Sequence, residues 1–264
     1  TMNYTTLKTR YSLLKERCAT LFEQYNFMIT AEKVMLENAF MCAIGQYEYE
    51  IFKLSLEVKK WKRRFELRQA SINQDKKPDL INIELQIENE FKDYLEKLKR
   101  EEQKIESSNA YYNRNVLSQK ESTDMRVLYL NAAKKLHPDI NPNQTANTKD
   151  LWLRINEAFK NNNWSELKFL TNLVNHISSS EQDFTNDENG LTKLNAECLN
   201  LEKICITEQE KINDLKKIVP WSYKALLENT LEINRMQKDI MENISAYEKQ
   251  IKTYEQEWEK ELSK

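Results

Sequence analysis

The segment His137-Pro138-Asp139 is the part of this sequence whose residue types could do chemistry, because it places an imidazole and a carboxylate on either side of a proline. A histidine oriented by an aspartate is the pair that general acid–base catalysis uses. However, no serine or cysteine nucleophile is tied to this pair, and the other histidine, His176, is not close in sequence. We therefore predict that the segment catalyses no reaction by itself.

Two short helices are predicted to position this segment. Residues 124–136 carry apolar side chains on one surface, and Pro138 ends the helix because it lacks an amide hydrogen and disfavours helical geometry in His137. A second helix begins near Thr148, and its apolar residues recur at spacings of three and four: Trp152, Ile155, Ala158 and Phe159. The expected result is an antiparallel pair with His-Pro-Asp exposed at its tip.

This stretch resembles the J-domain of DnaJ-like co-chaperones over roughly fifty residues. The His-Pro-Asp segment is followed by Asn141-Pro142, as in that family, and residues 155–159 read INEAF where the family has I-N-E-A-Y. Three further positions of the preceding helix also fit the family: Tyr129, Ala133 and Lys135. It is the ordered combination, and not the tripeptide alone, that makes the resemblance specific.

The sequence also departs from the family. Trp152 replaces the usual phenylalanine, and Ile140 stands where a basic residue is common. The first J-domain helix is matched only by Tyr111-Tyr112, and the Gly/Phe-rich region and the cysteine-rich zinc module are missing. The resemblance thus implies a specialised J-protein.

What the resemblance implies is docking on a DnaK-type ATPase chaperone and stimulation of its ATP hydrolysis. In the family, the aspartate pairs with an arginine of the chaperone, and such a carboxylate–guanidinium bond is short and selective. The implied chaperone-binding residues are His137, Pro138, Asp139, Arg126, Lys134, Lys135 and Asn141. The implied core of the unit is Tyr129, Ala133, Trp152, Ile155, Ala158 and Phe159.

Composition predicts the architecture around this unit. The 264 residues include 31% charged residues but only 2 glycines and 4 prolines, which favours long helices and an all-α fold. A first helix is predicted over about residues 3–27. A long helix, capped by Thr30 and running to about Asn73, carries an apolar coiled-coil seam over 44–72. A third helix from Asp79 would return antiparallel to it.

A second seam follows residues 191–215, and after Pro220 a last helix capped by Ser222 would carry a similar stripe over 240–258. We therefore predict long antiparallel coiled-coil hairpins that flank a small central J-domain-like unit. The predicted division is 1–109 for the N-terminal hairpin, 110–178 for the J-domain-like unit, 179–190 for a linker and 191–264 for the C-terminal hairpin. The seams leave open whether the helices pair within one chain or between copies.

Several classes of protein and site are disfavoured. The net charge of -2 creates no general attraction to nucleic acid, and no apolar run approaches the roughly 18 residues of a membrane span. The N-terminal residues lack the apolar core of a signal peptide, and the four cysteines form no C-x-x-C pair that would indicate zinc. We expect a cytoplasmic protein without metal or cofactor, with a DnaK-type chaperone and an unidentified client as partners.

Two other functions stay open. A structural coiled-coil scaffold with a degenerate J-like domain is favoured by Ile140 and by the altered first helix. A nucleic-acid-associated protein is the weaker alternative, since the basic run over residues 59–64 flanks Trp61 on a helix whose charges are typical of a solvated coiled-coil face.

Overall fold

The computed structural model describes residues 3–113, 119–161, 163–175 and 184–263, without the side chains of 112, 113, 119, 120 and 122. Within these ranges the chain is helical and forms no strand, so the predicted all-α class is confirmed. In chain order the α-helices are α1 (Tyr4–Phe27), α2 (Lys33–Phe40), α3 (Gln46–Ile72), α4 (Leu80–Glu90), α5 (Lys92–Asn113), α6 (Gln119–Leu136), α7 (Ala146–Lys160), α8 (Trp164–Asn175), α9 (Glu188–Leu215), α10 (Lys224–Glu228) and α11 (Thr230–Leu262).

Contacts divide the described residues into two compact units. The first contains 3–36, 119–161, 163–175 and 184–222, and the second contains 37–113 and 223–263. This grouping differs from the predicted division into consecutive segments, because α1 and α9 belong with the central helices α6, α7 and α8. His176, the side chain of Tyr112 and residues 179–183 of the predicted linker lie outside the described residues.

The N-terminal region does not contain the predicted break between two helices. The backbone stays helical from Tyr4 to Ile72, passing through two π-helical turns at Met28–Glu32 and Met41–Gly45. Thr30 was the predicted cap, but its hydroxyl donates to the carbonyl of Asn26 at 2.6 Å inside the first of these turns. A π turn accommodates an extra residue without ending the helix, which is why no cap is needed.

In the first unit, α1 packs along α9. Arg10 pairs with Glu202 at 2.5 Å, and the Sγ atoms of Cys18 and Cys205 lie 2.7 Å apart. The paired residues are 192 and 187 positions apart in the sequence, so the residue number increases along both helices in the same direction. The two helices therefore run parallel. This differs from the predicted C-terminal hairpin, in which α9 would pack on the last helix. The fully or almost fully buried apolar residues of this contact include Leu7, Cys18, Leu21, Leu194, Cys198, Leu201 and Cys205.

The three central helices form the other layer of the first unit. Tyr129 of α6 packs on Phe159 of α7 with ring centroids 4.3 Å apart, and on Trp152 at 5.4 Å. Helix α8 covers both α6 and α7 with the buried side chains of Leu167 and Leu170. Burial of these large apolar groups stabilises the layer by about 1.5–3 kcal/mol for each side chain.

In the second unit, α3 packs against α4, α5 and α11. Arg63 pairs with Glu90 and Arg64 with Glu84, so the chain reverses between α3 and α4. Asp79 caps α4, as its Oδ1 accepts from two amides at 3.1 Å.

The predicted seam of α3 meets α11. Phe65 and Trp258 pack edge to face with ring centroids 5.2 Å apart, and the amide side chain of Gln237 donates to the carbonyl of Ala43 at 2.8 Å. These pairs are separated by nearly the same number of residues, so α3 and α11 run parallel. Helix α11 begins after Asn229, whose Oδ1 accepts from the Glu232 amide; Ser222, the predicted cap, lies earlier in a 3-10 turn. No described helix carries an apolar stretch long enough for a membrane crossing.

Candidate functional site

The loop after α6 is fixed to the end of that helix by hydrogen bonds. The His137 amide donates to the carbonyl of Ala133 at 2.9 Å, and the His137 carbonyl accepts from the amides of Ile140 and Asn141 at 3.1 and 2.8 Å. The side-chain amide of Asn141 donates to the Lys134 carbonyl at 3.1 Å, and that of Gln144 donates to the Leu136 carbonyl. Three of the last four carbonyls of α6, those of Ala133, Lys134 and Leu136, thus accept hydrogen bonds from the loop.

The tip of the loop presents Pro138 and Asp139 to solvent, since both residues are exposed. The side chain of Ile140, by contrast, is 2% exposed. Burying a charge at this position would be costly, which explains why an isoleucine stands where the family commonly has a basic residue. Asp139 is therefore the charged group that the turn holds outward.

His137 is not exposed as predicted. Its ring stacks on Phe22 of α1, with centroids 3.6 Å apart and an interplanar angle of 10°, and meets the edge of Trp152 at 5.2 Å. The Asp139 amide donates to its Nδ1 atom at 3.2 Å. Burial lowers the pKa of His137 to about 4, with the Asp139 carboxylate opposing the shift. The imidazole is therefore neutral near pH 7.

Two of the basic residues of α6 are paired with carboxylates of α1. The guanidinium of Arg126 donates to both Glu23 oxygens, at 2.5 and 3.1 Å, and Glu23 is only 5% exposed. This hydrogen bonding raises the pKa of Arg126. Lys134 pairs with Glu16 at 2.6 Å, and Lys135 is exposed. Of the three implied cations, α1 therefore engages two.

Two further contacts join α1 to this region. The Lys15 ammonium donates to Oδ1 of Asn141 at 2.9 Å. The Asn26 side-chain amide donates at 2.8 Å to the hydroxyl of Tyr129, which in turn donates to Asn156 at 2.6 Å. Tyr129 is fully buried, and this burial raises its pKa, so its hydroxyl stays protonated. The α1 contacts thus extend from the middle of α6 to the loop.

The residues assigned to the core of the unit lie together between α6, α7 and α8. Each is at most 6% exposed: Tyr129, Ala133, Trp152, Ile155, Ala158 and Phe159. Thr145 caps α7 by accepting from the Thr148 amide at 3.3 Å, so this helix begins two residues before the predicted start. The loop therefore connects two helices that share a buried core.

Sequence reasoning missed the contribution of α1 to this site. The residues concerned are Lys15, Glu16, Phe22, Glu23 and Asn26. The sequence did contain a signal. Glu16 and Glu23 are seven residues apart in α1, and Arg126 and Lys134 are eight residues apart in α6, so each pair lies on one face of its helix. Matching such stripes requires knowing which helices are neighbours, and α1 is more than 100 residues from α6 in sequence.

Metal-binding clusters and reactive thiols are the other features near the loop that would indicate chemistry. The described residues contain no cluster of three or more histidine, cysteine and acidic side chains that could hold a metal ion. Cys18 lies in the α1–α9 contact against Cys205, and burial raises the pKa of its thiol, so it is protonated and a poor nucleophile.

Three cations of the basic run over residues 59–64 form ion pairs within the second unit. Lys60 pairs with Glu57, while Arg63 and Arg64 pair with Glu90 and Glu84. These pairs lower the positive charge that the run could offer to a phosphate.

Comparison with known proteins adds no relative. No family model matches the sequence, and neither a curated protein nor a solved structure is significantly similar to the chain. The resemblance to the J-domain family therefore rests on the motif residues around His137-Pro138-Asp139.

Proposed function

We propose that this chain is a J-domain co-chaperone that docks on a DnaK-type chaperone through its His-Pro-Asp loop and stimulates the ATP hydrolysis of that partner. The observation that carries the proposal is the hydrogen-bonded loop between α6 and α7, which leaves Asp139 exposed at the turn. The motif residues around the loop support it from the sequence.

Asp139 is the residue assigned to the main contact. A carboxylate at a fixed position accepts two parallel hydrogen bonds from a guanidinium, and this geometry selects for arginine on the partner. Pro138 restricts the backbone before Asp139, which reduces the ordering cost of binding. Lys135 is exposed beside the loop and would attract an acidic chaperone surface. The chemistry of ATP hydrolysis belongs to the chaperone.

The rest of the chain acts in this proposal as an adaptor. The parallel helix pairs α1–α9 and α3–α11, which carry the predicted coiled-coil seams, would place the loop near a client or near a second copy of the chain. The proposal includes the cytoplasmic location expected from the sequence.

The proposal is tested by the steady-state ATPase rate of a DnaK-type chaperone with the full chain added. We expect wild type to raise this rate and Asp139→Asn to reduce the stimulation at least tenfold, since the substitution removes the charge of the assigned contact. Asp150→Asn is the matched control, because it changes an exposed aspartate that belongs to α7 and not to the loop. Absence of stimulation by wild type across several DnaK-type chaperones would contradict the proposal.

A second candidate function is a structural scaffold in which the J-like unit is a permanent packing element. The observation in its favour is the stacking of His137 on Phe22 together with the Arg126–Glu23 pair, which occupy part of the assigned docking face. This candidate expects that binding partners recovered in a pull-down are the same for wild type and His137→Gln. Loss of a DnaK-type chaperone from the His137→Gln pull-down would exclude it.

A further inference from the structure

Helix α1 covers a defined part of the proposed docking face. It engages Arg126, Lys134, His137 and Asn141, and it leaves Pro138, Asp139 and Lys135 exposed. The covered groups lie on α6 and in the loop, whereas the exposed groups are Lys135 in the last turn of α6 and the tip of the loop. A partner therefore finds these exposed groups accessible, while α1 holds the other assigned residues.

The contacts from α1 have the chemistry that the proposed function assigns to the chaperone surface. Two carboxylates, Glu16 and Glu23, face the basic residues of α6, as an acidic docking surface would. The Arg126–Glu23 bond is two-pronged and the carboxylate is buried, so this pair contributes more than an exposed one. While Glu23 accepts from Nε and Nη2 of Arg126, these two donors are not available to a chaperone.

We propose that α1 is an intramolecular competitor that occupies the chaperone-docking face and keeps the protein in a low-affinity state until it is displaced from α6. This inference rests on the proposed function, because the competition concerns the same face. Asp139 and Lys135 provide the first contact with the chaperone, and Arg126, Lys134 and His137 become available when α1 separates from α6. The apparent affinity is then the affinity of the open face multiplied by the fraction of molecules in which the face is open.

The variants that test this competition remove the α1 carboxylates and leave every assigned docking residue intact. Glu23→Gln keeps the shape of the side chain but removes the buried charge that holds Arg126. Glu16→Gln removes the exposed pair with Lys134, so it disturbs folding little and serves as the second variant. Glu202→Gln is the matched control. It breaks the ion pair between Arg10 of α1 and Glu202 of α9, and so changes a contact of α1 that does not involve α6.

The measurement is the concentration of the full chain that gives half-maximal stimulation of a DnaK-type ATPase. We expect Glu23→Gln to lower this concentration about tenfold and Glu16→Gln about twofold, with the maximal rate unchanged and Glu202→Gln equal to wild type. Adding Asp139→Asn to Glu23→Gln should abolish the gain. Circular dichroism confirms that each variant is folded.

The outcomes separate the two proposals. If wild type and both glutamine variants stimulate with the same half-maximal concentration, and Asp139→Asn abolishes stimulation, the competition is overturned and the co-chaperone function stands. If neither wild type nor the glutamine variants stimulate any chaperone, the proposed function fails and the competition fails with it.

Discussion

At the scale of single residues, the environment of His137 differs most from what its sequence context indicates. A proline-flanked histidine at the end of a helix is typical of an exposed turn. Here the aromatic rings of Phe22 and Trp152 enclose it, one from a helix that precedes it by more than 100 residues in the chain. The identity of the loop was readable from neighbouring residues, but its enclosure depends on a distant element.

This enclosure predicts a pH dependence of stability. Because the pKa of His137 is about 4 in the folded chain and 6.5 in its ordinary state, the unfolded chain binds the extra proton between these values. The free energy of unfolding therefore decreases as the pH falls from about 6.5 towards 4. At higher pH, His137 is neutral in both states and its titration does not change the stability. Asp139 is the charged neighbour that limits the shift.

The prediction is measured by urea unfolding at pH 7 and pH 5. Wild type should lose about 2 kcal/mol more free energy of unfolding between these pH values than His137→Gln, which has no imidazole to protonate. The carboxylates titrate in both proteins and cancel in the comparison. Equal losses in wild type and variant would show that the imidazole is not desolvated.

At the scale of elements, the start of α9 depends on one glycine. Gly190 donates its amide to the Asp187 cap at 2.7 Å, and a Cβ atom at this position would lie 2.0 Å from the backbone oxygen of Thr185. The cap therefore tolerates no side chain without a shift of the backbone. This turn also holds Phe184, whose carbonyl accepts from the Tyr4 hydroxyl at 2.7 Å, so it joins the start of α9 to α1.

We expect Gly190→Ala to lower the free energy of unfolding of the first unit by about 1–3 kcal/mol, because the new methyl group meets backbone atoms. Gly45→Ala is the comparison, since its Cβ would meet the flexible end of Met41 at 2.6 Å and alanine has the higher helix propensity. Thermal unfolding followed by circular dichroism measures both. A larger loss for Gly45→Ala than for Gly190→Ala would contradict this account.

The helices themselves were predictable where local signals decide them. The Asp79 cap, the break at Pro138 and the apolar face of α7 each depend on neighbours within a few residues. The predicted caps at Thr30 and Ser222 are wrong, because a threonine or serine can cap only where a helix begins. The helix continues through the π turn that contains Thr30, and α11 begins after Asn229. Local residue types thus indicate where a helix could begin or end, and packing with distant residues determines which of these boundaries forms.

At the scale of the whole molecule, the pairing of helices could not be predicted. An apolar seam indicates that a helix has a partner, but not which one, and short connections favour antiparallel neighbours. That rule predicted the reversal between α3 and α4, but it missed the parallel pairs α1–α9 and α3–α11, whose contacts join residues as far as 192 and 193 positions apart. The candidate site was affected in the same way, since its loop was predictable and its covering helix was not.

Docking through the loop is tested by the affinity of the full chain for a DnaK-type chaperone in its ATP state, measured by biolayer interferometry. We expect Glu23→Gln to bind most tightly, wild type less tightly and Asp139→Asn most weakly, because the first opens the docking face and the last removes its exposed carboxylate. Equal affinities for wild type and Asp139→Asn would contradict docking through the loop.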